Sequence, residues 1–190
     1  MRLETERLLI RAFQPTDLET MQRILRQTFE DGVSQSERAA WLEWSRLNDE
    51  WFPKMYQTPY GDRAIELRSS GEVIGSVGLV PVHAPFDQIP ELREAAMSGY
   101  YTTEVGLFWV IDPHHQGRGY ATEAARALIE YAFDELHLKR IVAMTEYDNA
   151  ASQRVMQKAG LTLTRNPQVE PPWLQVVGVV PQSIWRIHRK

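Results

Sequence analysis

WVIDPHHQGRGYATEAARAL, the stretch from Trp109 to Leu128, decides the fold of this chain. Apolar residues up to Ile111 predict a strand, and a helical pattern begins directly after Gly117 and Gly119. Glycines between a strand and a helix let several backbone N–H groups converge on one point, at the positive end of the helix dipole. Such a turn is typical of a pyrophosphate site, so the stretch predicts a phosphorylated cofactor.

The turn differs from the two common glycine-rich phosphate motifs. It lacks the Lys-Ser/Thr ending of a nucleoside-triphosphatase loop and the three-glycine GxGxxG spacing of a dinucleotide fold. For Gly117-Arg118-Gly119 alone, an ordinary strand-to-helix turn is the better interpretation. The strand before it and the helix after it together favour the cofactor site.

Composition narrows the class of protein. With 190 residues, of which 43% are hydrophobic and 24% charged, we expect one folded domain over residues 1–190. The chain has no cysteine, which excludes disulfides, thiolate metal sites and a cysteine nucleophile and agrees with a cytoplasmic location. No apolar run approaches the roughly 20 residues of a membrane span, and the charged start of the chain does not resemble a signal peptide. The net charge of −4, without a basic tract, predicts neither a nucleic-acid nor a membrane partner.

The apolar pattern predicts an α/β fold: a mixed, mostly antiparallel sheet of about seven strands with helices on both faces. The predicted strands are residues 8–10, 64–67, 73–80, 103–111, 140–145, 161–164 and 174–180, and the predicted helices are 15–29, 36–51, 121–136 and 149–159. Three prolines and several acids make residues 81–100 a predicted functional loop, with a helical turn near 91–96.

Three motifs together resemble the GNAT superfamily of N-acetyltransferases. Gln116-x-x-Gly119-x-Ala121, fused to a helix, is similar to the acetyl-CoA loop of that superfamily. TERLLIRAF at residues 5–13, and the Asn-x-x-Ser helix that begins at Asn149, resemble motifs of its Rim-type branch, which acetylates the N-termini of ribosomal proteins. The resemblance implies an acetyl-CoA-dependent enzyme that moves an acetyl group to a primary amine by direct attack.

The resemblance also implies which residues hold acetyl-CoA. In the family, the strand before the turn splays from its neighbour and admits the pantetheine arm. The implied cofactor-binding residues are Trp109, Val110, Ile111, Gln116, Gly117, Arg118, Gly119, Tyr120, Ala121, Thr122, Asn149 and Ser152. For Asn149, a helix N-cap is the common structural alternative.

Two side chains are candidates for the chemistry. Glu104 is the only acid in the strand YYTTEVGLFWVI, and partial burial raises the pKa of a carboxylate, which suits a base that acts directly or through water. A strand-end glutamate in a salt bridge is the alternative. Ser152 is the candidate donor to the leaving sulfur, because Met156 stands where many GNAT enzymes place a tyrosine acid. Protonation of the thiolate by water stays open.

The sequence alone does not identify the acceptor, because a fold and a cofactor do not specify a substrate. A protein N-terminus, a polyamine, an aminoglycoside-like antibiotic and an amino acid all fit. A non-catalytic CoA-binding sensor or interaction protein on the same fold is the alternative function, and a homodimer is not decided. Around His114-His115 no ligand set with metal spacing occurs, so we predict no metal site.

The helix over residues 36–51 carries three tryptophans, Trp41, Trp44 and Trp51, which we assign to the core by default. In GNAT folds this region also borders the acceptor cleft. One or two of the three are therefore candidates to face the substrate.

Overall fold

Eight strands and five α-helices make up residues 1–93 and 99–188, the part of the chain that the computed structural model describes. The strands are β1 (Arg2–Glu4), β2 (Leu8–Arg11), β3 (Gly61–Leu67), β4 (Val73–Ala84), β5 (Thr102–Ile111), β6 (Arg140–Thr145), β7 (Thr162–Arg165) and β8 (Val176–Pro181). The helices are α1 (Leu18–Phe29), α2 (Gln35–Trp51), α3 (Tyr120–Asp134), α4 (Ala150–Lys158) and α5 (Gln182–His188). Within these residues no helix is both long and apolar enough to cross a membrane.

The strands form one mixed sheet in the order β1-β2-β3-β4-β5-β6-β8-β7. Pairing is antiparallel from β1 through β4 and between β8 and both of its neighbours, whereas β5 and β6 are parallel. The predicted α/β fold with a mostly antiparallel sheet is confirmed. The extra strand is β1, whose three residues are too few to show an alternating pattern.

Contacts divide the chain into two units, each with its own core. Unit 1 comprises Met1–Val80 and Phe108–Leu128, and unit 2 comprises Pro81–Leu107 and Ile129–Lys190. In unit 1, α1 and α2 bury one face each against the strands, because their apolar residues recur at helical spacing. The buried residues of this core are Phe13, Met21, Ile24, Leu25, Leu42, Ala64, Val73 and Val110.

The predicted functional loop over residues 81–100 is wrong in its first half. β4 continues to Ala84, and Phe86, Ile89 and Leu92 are buried in the core of unit 2. The prolines break regular structure here, but the apolar residues between them still bury their side chains. The predicted helical turn near 91–96 falls partly on residues 94–98, which lie outside the described residues.

The tryptophans of α2 do not share one environment. Trp41 packs on Phe13, with ring centroids 5.2 Å apart. Trp44 and Trp51 are each 52% exposed, so their default assignment to the core is wrong. Trp51 instead lies beside Lys54, whose Nζ is 4.3 Å from the centroid of the ring.

Candidate cofactor and active site

The glycine turn lies in unit 1, between a short 3-10 turn at Pro113–His115 and the first residue of α3. Gly117 and Gly119 have φ values of +74° and +84°, a region that residues with a Cβ atom rarely adopt. Both are exposed, and a Cβ atom on Gly117 would meet nothing within 4 Å. The chain therefore needs glycine at these positions for backbone conformation, and the turn presents bare backbone to its surroundings.

The first turn of α3 supplies backbone donors. The first helical hydrogen bond runs from the N–H of Glu123 to the carbonyl of Gly119, at 3.0 Å. The N–H groups of Tyr120, Ala121 and Thr122 precede this bond and have no acceptor inside the helix. No side chain within the described residues caps them. They point where a helix dipole favours negative charge.

The start of the chain holds this turn in place. Arg7 donates from Nε to Oε2 of Glu123 at 2.6 Å and from Nη1 to the carbonyl of Arg118 at 3.0 Å. Its guanidinium also lies 4.5 Å from the centroid of the Tyr120 ring. Thr5 donates its hydroxyl to Glu123 at 2.6 Å. Sequence reasoning used residues 5–13 only as a resemblance and missed these contacts.

The carboxylate of Glu123 is ionised by its partners. Burial alone would raise the pKa of Glu123, but hydrogen bonds from the Thr5 hydroxyl and from the backbone and side chain of Arg7 outweigh it. The pKa of this carboxyl group therefore lies below its usual value. A charged Glu123 in the first turn of α3 also suits the positive end of the helix.

The strand before the turn offers backbone rather than side chains. Val110 and Ile111 are 3% and 5% exposed, and Trp109 is half-buried. Gln116 donates from Nε2 to the carbonyl of Ile111 at 2.9 Å, which ties the turn to the end of β5. That carbonyl is thus already paired, and the role of Gln116 in this structure is to position the turn.

Asp112 fixes the path from β5 into the turn. Its carboxylate accepts from the N–H of His114 at 2.9 Å and pairs with Arg23 at 2.7 Å. Burial acts to raise the pKa of Asp112, but the bonds from Arg23 and His114 outweigh it and lower that pKa. An ionised Asp112 is consistent with these donors.

The remaining candidates lie in unit 2. Glu104, on β5, is 7% exposed, and both of its carboxylate oxygens accept from Arg140 on β6. The Nε to Oε2 distance is 2.7 Å. This is the salt bridge that the sequence left open as the alternative. Such a two-bond pair leaves fewer lone pairs of the carboxylate for any other hydrogen-bond donor. Glu104 as a base stays a prediction.

Asn149 and Ser152 lie at the start of α4. The side-chain oxygen of Asn149 accepts from the N–H of Ser152 at 3.0 Å, so Asn149 is the N-cap of this helix. Ser152 is half-buried, and its hydroxyl has no hydrogen-bond partner among the described residues. Met156 is fully buried in the core. The Ser152 hydroxyl is therefore available to a ligand, whereas Met156 has only a packing role.

The parallel strands β5 and β6 pair very briefly. Within the described residues their only paired position is Gly106 with Val142. β6 pairs with β8 over its whole length, from Arg140 to Thr145. This single paired position is consistent with the splay that the resemblance implies.

Comparison with known proteins agrees with these features. A family model described as "Acetyltransferase (GNAT) domain" matches residues 7–162. An uncharacterized N-acetyltransferase of Bacillus subtilis, YnaD, is 48% identical over 63 residues, which are 33% of this chain and 36% of that relative. The chain thus matches about a third of the length of this relative.

Solved structures share the fold across almost the whole chain. An acetyltransferase from Agrobacterium tumefaciens superposes with a TM-score of 0.68 at 25% identity, over 95% of this chain and 94% of that one. RimL, a ribosomal L7/L12 α-N-protein acetyltransferase solved in complex with coenzyme A, superposes with a TM-score of 0.62 at 14% identity, over 94% and 96% of the two chains. The second likeness concerns the fold alone.

Proposed function

The chain belongs to the GNAT family of acetyltransferases, and from this premise we propose that it transfers an acetyl group from acetyl-CoA to a primary amine by direct attack. The observation that carries the proposal is the turn with two positive-φ glycines, whose N–H groups lead into the first turn of α3. Residues 1–190 act as one N-acetyltransferase domain in this proposal. A cytoplasmic location stays a prediction from the sequence, which leaves a homodimer undecided.

The turn and its neighbours bind the nucleotide end of acetyl-CoA. The N–H groups of residues 117–122 donate to the pyrophosphate, and Arg118 adds positive charge beside it. Backbone groups of 109–111 that are not already paired bind the acyl end. Because the oxygen of Asn149 already caps α4, only its amide NH₂ is left to donate to a pantetheine carbonyl. The thioester of acetyl-CoA supplies the activated acetyl group.

The acceptor must lose a proton before or during the attack, because an ammonium group has no lone pair. We propose that Glu104 takes this proton through water, since both of its oxygens already accept from Arg140. The neutral amine nitrogen bonds to the acetyl carbon and the C–S bond breaks. A second proton then leaves the nitrogen and passes through water to the CoA thiolate, which gives the amide and the free thiol. The hydroxyl of Ser152 donates a hydrogen bond to the departing sulfur.

One observation favours a second candidate function. The pairing of Glu104 with Arg140 is what a purely structural glutamate would show, and a protein without a base would bind CoA without turnover. The second candidate is therefore a non-catalytic CoA-binding sensor or interaction protein on the same fold.

A thiol-release assay separates the two functions. Acetyl-CoA is offered with a panel of amines: peptides with free N-termini, polyamines, aminoglycosides and single amino acids, with succinyl-CoA as a second donor. We expect release of CoA with one class of amine and with the acetyl donor. Tight binding of CoA without release across the panel supports the sensor, and absence of CoA binding contradicts both functions.

A further inference from the structure

We infer that Arg7 is a positioning residue for the cofactor turn: its guanidinium fixes the peptide between Arg118 and Gly119 so that the N–H of Gly119 faces the diphosphate of the donor. The inference rests on the proposed function, because it assigns Arg7 to the same cofactor site. Arg7 directly precedes β2 and stands 111 positions before Arg118 in the sequence. It is not part of the glycine motif.

The argument begins with one hydrogen bond. Nη1 of Arg7 donates to the carbonyl of Arg118 at 3.0 Å. In a planar trans peptide, the C=O and the following N–H point in opposite directions. A carbonyl of Arg118 that is held toward Arg7 therefore directs the N–H of Gly119 away from Arg7. Among the described residues, that N–H has no acceptor, so it is available to an anion.

The guanidinium itself is held on two sides. Glu123 accepts from Nε of Arg7 at 2.6 Å and from its backbone N–H at 2.9 Å, and it also accepts from the Thr5 hydroxyl. The ring of Tyr120 lies 4.5 Å from the guanidinium carbon. Tyr120 and Glu123 both belong to the first turn of α3. Arg7 therefore joins the carbonyl side of the turn to the helix that follows it.

The segment that carries Arg7 is itself held by Arg68, which directly follows β3. The N–H of Arg68 donates to the carbonyl of Arg7 at 3.0 Å, and Nη1 of Arg68 donates to the carbonyl of Thr5 at 2.6 Å. Thr5 and Leu8 close a turn through a bond of 2.9 Å between the N–H of Thr5 and the carbonyl of Leu8. Because this backbone is already ordered, Arg7 holds the turn before the ligand arrives.

The contacts require arginine rather than any positive charge. Arg7 uses Nε, Nη1 and the flat face of the guanidinium at the same time, on Glu123, Arg118 and Tyr120. A lysine has a single ammonium group and cannot make all three contacts together. A substitution by lysine therefore separates the geometry from the charge.

The test compares the affinity for CoA of four proteins by calorimetry: wild type, Arg7→Lys, Arg7→Met and the control Arg2→Met. Arg2 is an exposed arginine near the same end of the chain, and its side chain pairs with Glu4 on the surface. We expect Arg7→Met and Arg7→Lys to raise the Kd for CoA about tenfold, which corresponds to losing one hydrogen bond to a charged group. We expect Arg2→Met to leave it unchanged, and thermal melts show that each variant is folded.

A second readout separates positioning from a general loss of structure. Acetyl-pantetheine carries the thioester but no diphosphate, so it offers no group that the N–H donors of the turn can bind. With the amine found in the panel, Arg7→Met should raise KM for acetyl-CoA with little change in kcat, and leave kcat/KM for acetyl-pantetheine unchanged. The inference is overturned by wild-type affinity for CoA in Arg7→Met, by wild-type affinity in Arg7→Lys, or by equal losses with both donors. If the wild-type protein does not bind CoA at all, the proposed function itself fails.

Discussion

Gly119 affects both the backbone conformation of the turn and the proposed binding of the cofactor. Its φ is +84°, and a Cβ atom would lie 3.5 Å from Nη2 of Arg7, an ordinary contact. Gly119→Val therefore strains the backbone by about 1–2 kcal/mol without a clash inside the protein. We expect a folded variant with at least tenfold weaker CoA binding, because the side chain or the shifted backbone removes donors from the diphosphate.

A matched control separates strain from binding. Gly71, in the hairpin between β3 and β4, has a similar φ of +74°, and its Cβ atom would meet nothing within 4 Å. Gly71→Val should lose a similar amount of stability and keep its affinity for CoA. Calorimetric titration and thermal melts measure both quantities. Wild-type affinity in a folded Gly119→Val protein would contradict the placement of the diphosphate.

For Glu104, one substitution distinguishes a base from a structural partner of Arg140. Glu104→Gln keeps the size of the side chain but removes its basicity and weakens the pair with Arg140. We expect turnover to fall roughly a hundredfold at neutral pH. The loss should shrink as pH rises, because free amine then becomes abundant without a base. If Glu104 is purely structural, we expect Glu104→Gln to lose about 1–3 kcal/mol of stability and to turn over substrate at the wild-type rate at neutral pH.

At the scale of the element, two substitutions at the start of α4 distinguish a helix cap from a role in the reaction. The cap uses the backbone N–H of Ser152 and the side chain of Asn149. Ser152→Ala therefore keeps the cap, and we expect kcat to fall more than CoA affinity. Asn149→Ala removes the cap and should cost about 0.5–2 kcal/mol of stability. Turnover, affinity and melting temperature are measured for both, and unaltered turnover in Ser152→Ala would leave its hydroxyl without a role in the reaction.

The strand β3 carries an acid whose protonation affects stability. Asp62 pairs across the sheet with Gly78, and its Oδ1 has no hydrogen-bond partner among the described residues. Burial raises the pKa of Asp62 from 3.8 to about 6, against the opposing charge of Arg63. Because the folded state favours the protonated form, Asp62 opposes folding increasingly as pH rises from 3.8 through about 6.

Asp62→Asn removes this titration. We expect the variant to gain on the order of 1–3 kcal/mol over wild type at pH 8, and much less at pH 4. Denaturant unfolding at a series of pH values measures the difference between the two proteins. A stability difference between the two proteins that does not change with pH would show that folding does not raise the pKa of Asp62.

The elements also show what the sequence can and cannot predict. α3 was predictable because its apolar stripe follows a glycine turn, and Asn149 and Gly160 mark the two ends of α4. The burial of Phe86 and Ile89 could not be predicted, because the prolines on either side are typical of a loop. The contact of Arg7 with Glu123 joins residues 116 positions apart, and no local pattern reports such a pairing.

On the scale of the whole molecule, binding of the cofactor is linked to folding of the chain. A ligand that binds only the folded protein stabilises it by mass action, by about 2.7 kcal/mol at about 100 times its Kd. We therefore expect CoA and acetyl-CoA to raise the melting temperature, and NAD and ATP to leave it unchanged. Gly71→Val should show the same shift as wild type, and Gly119→Val a smaller one. If millimolar CoA shifts neither wild type nor Gly71→Val, this chain does not use the cofactor of its family.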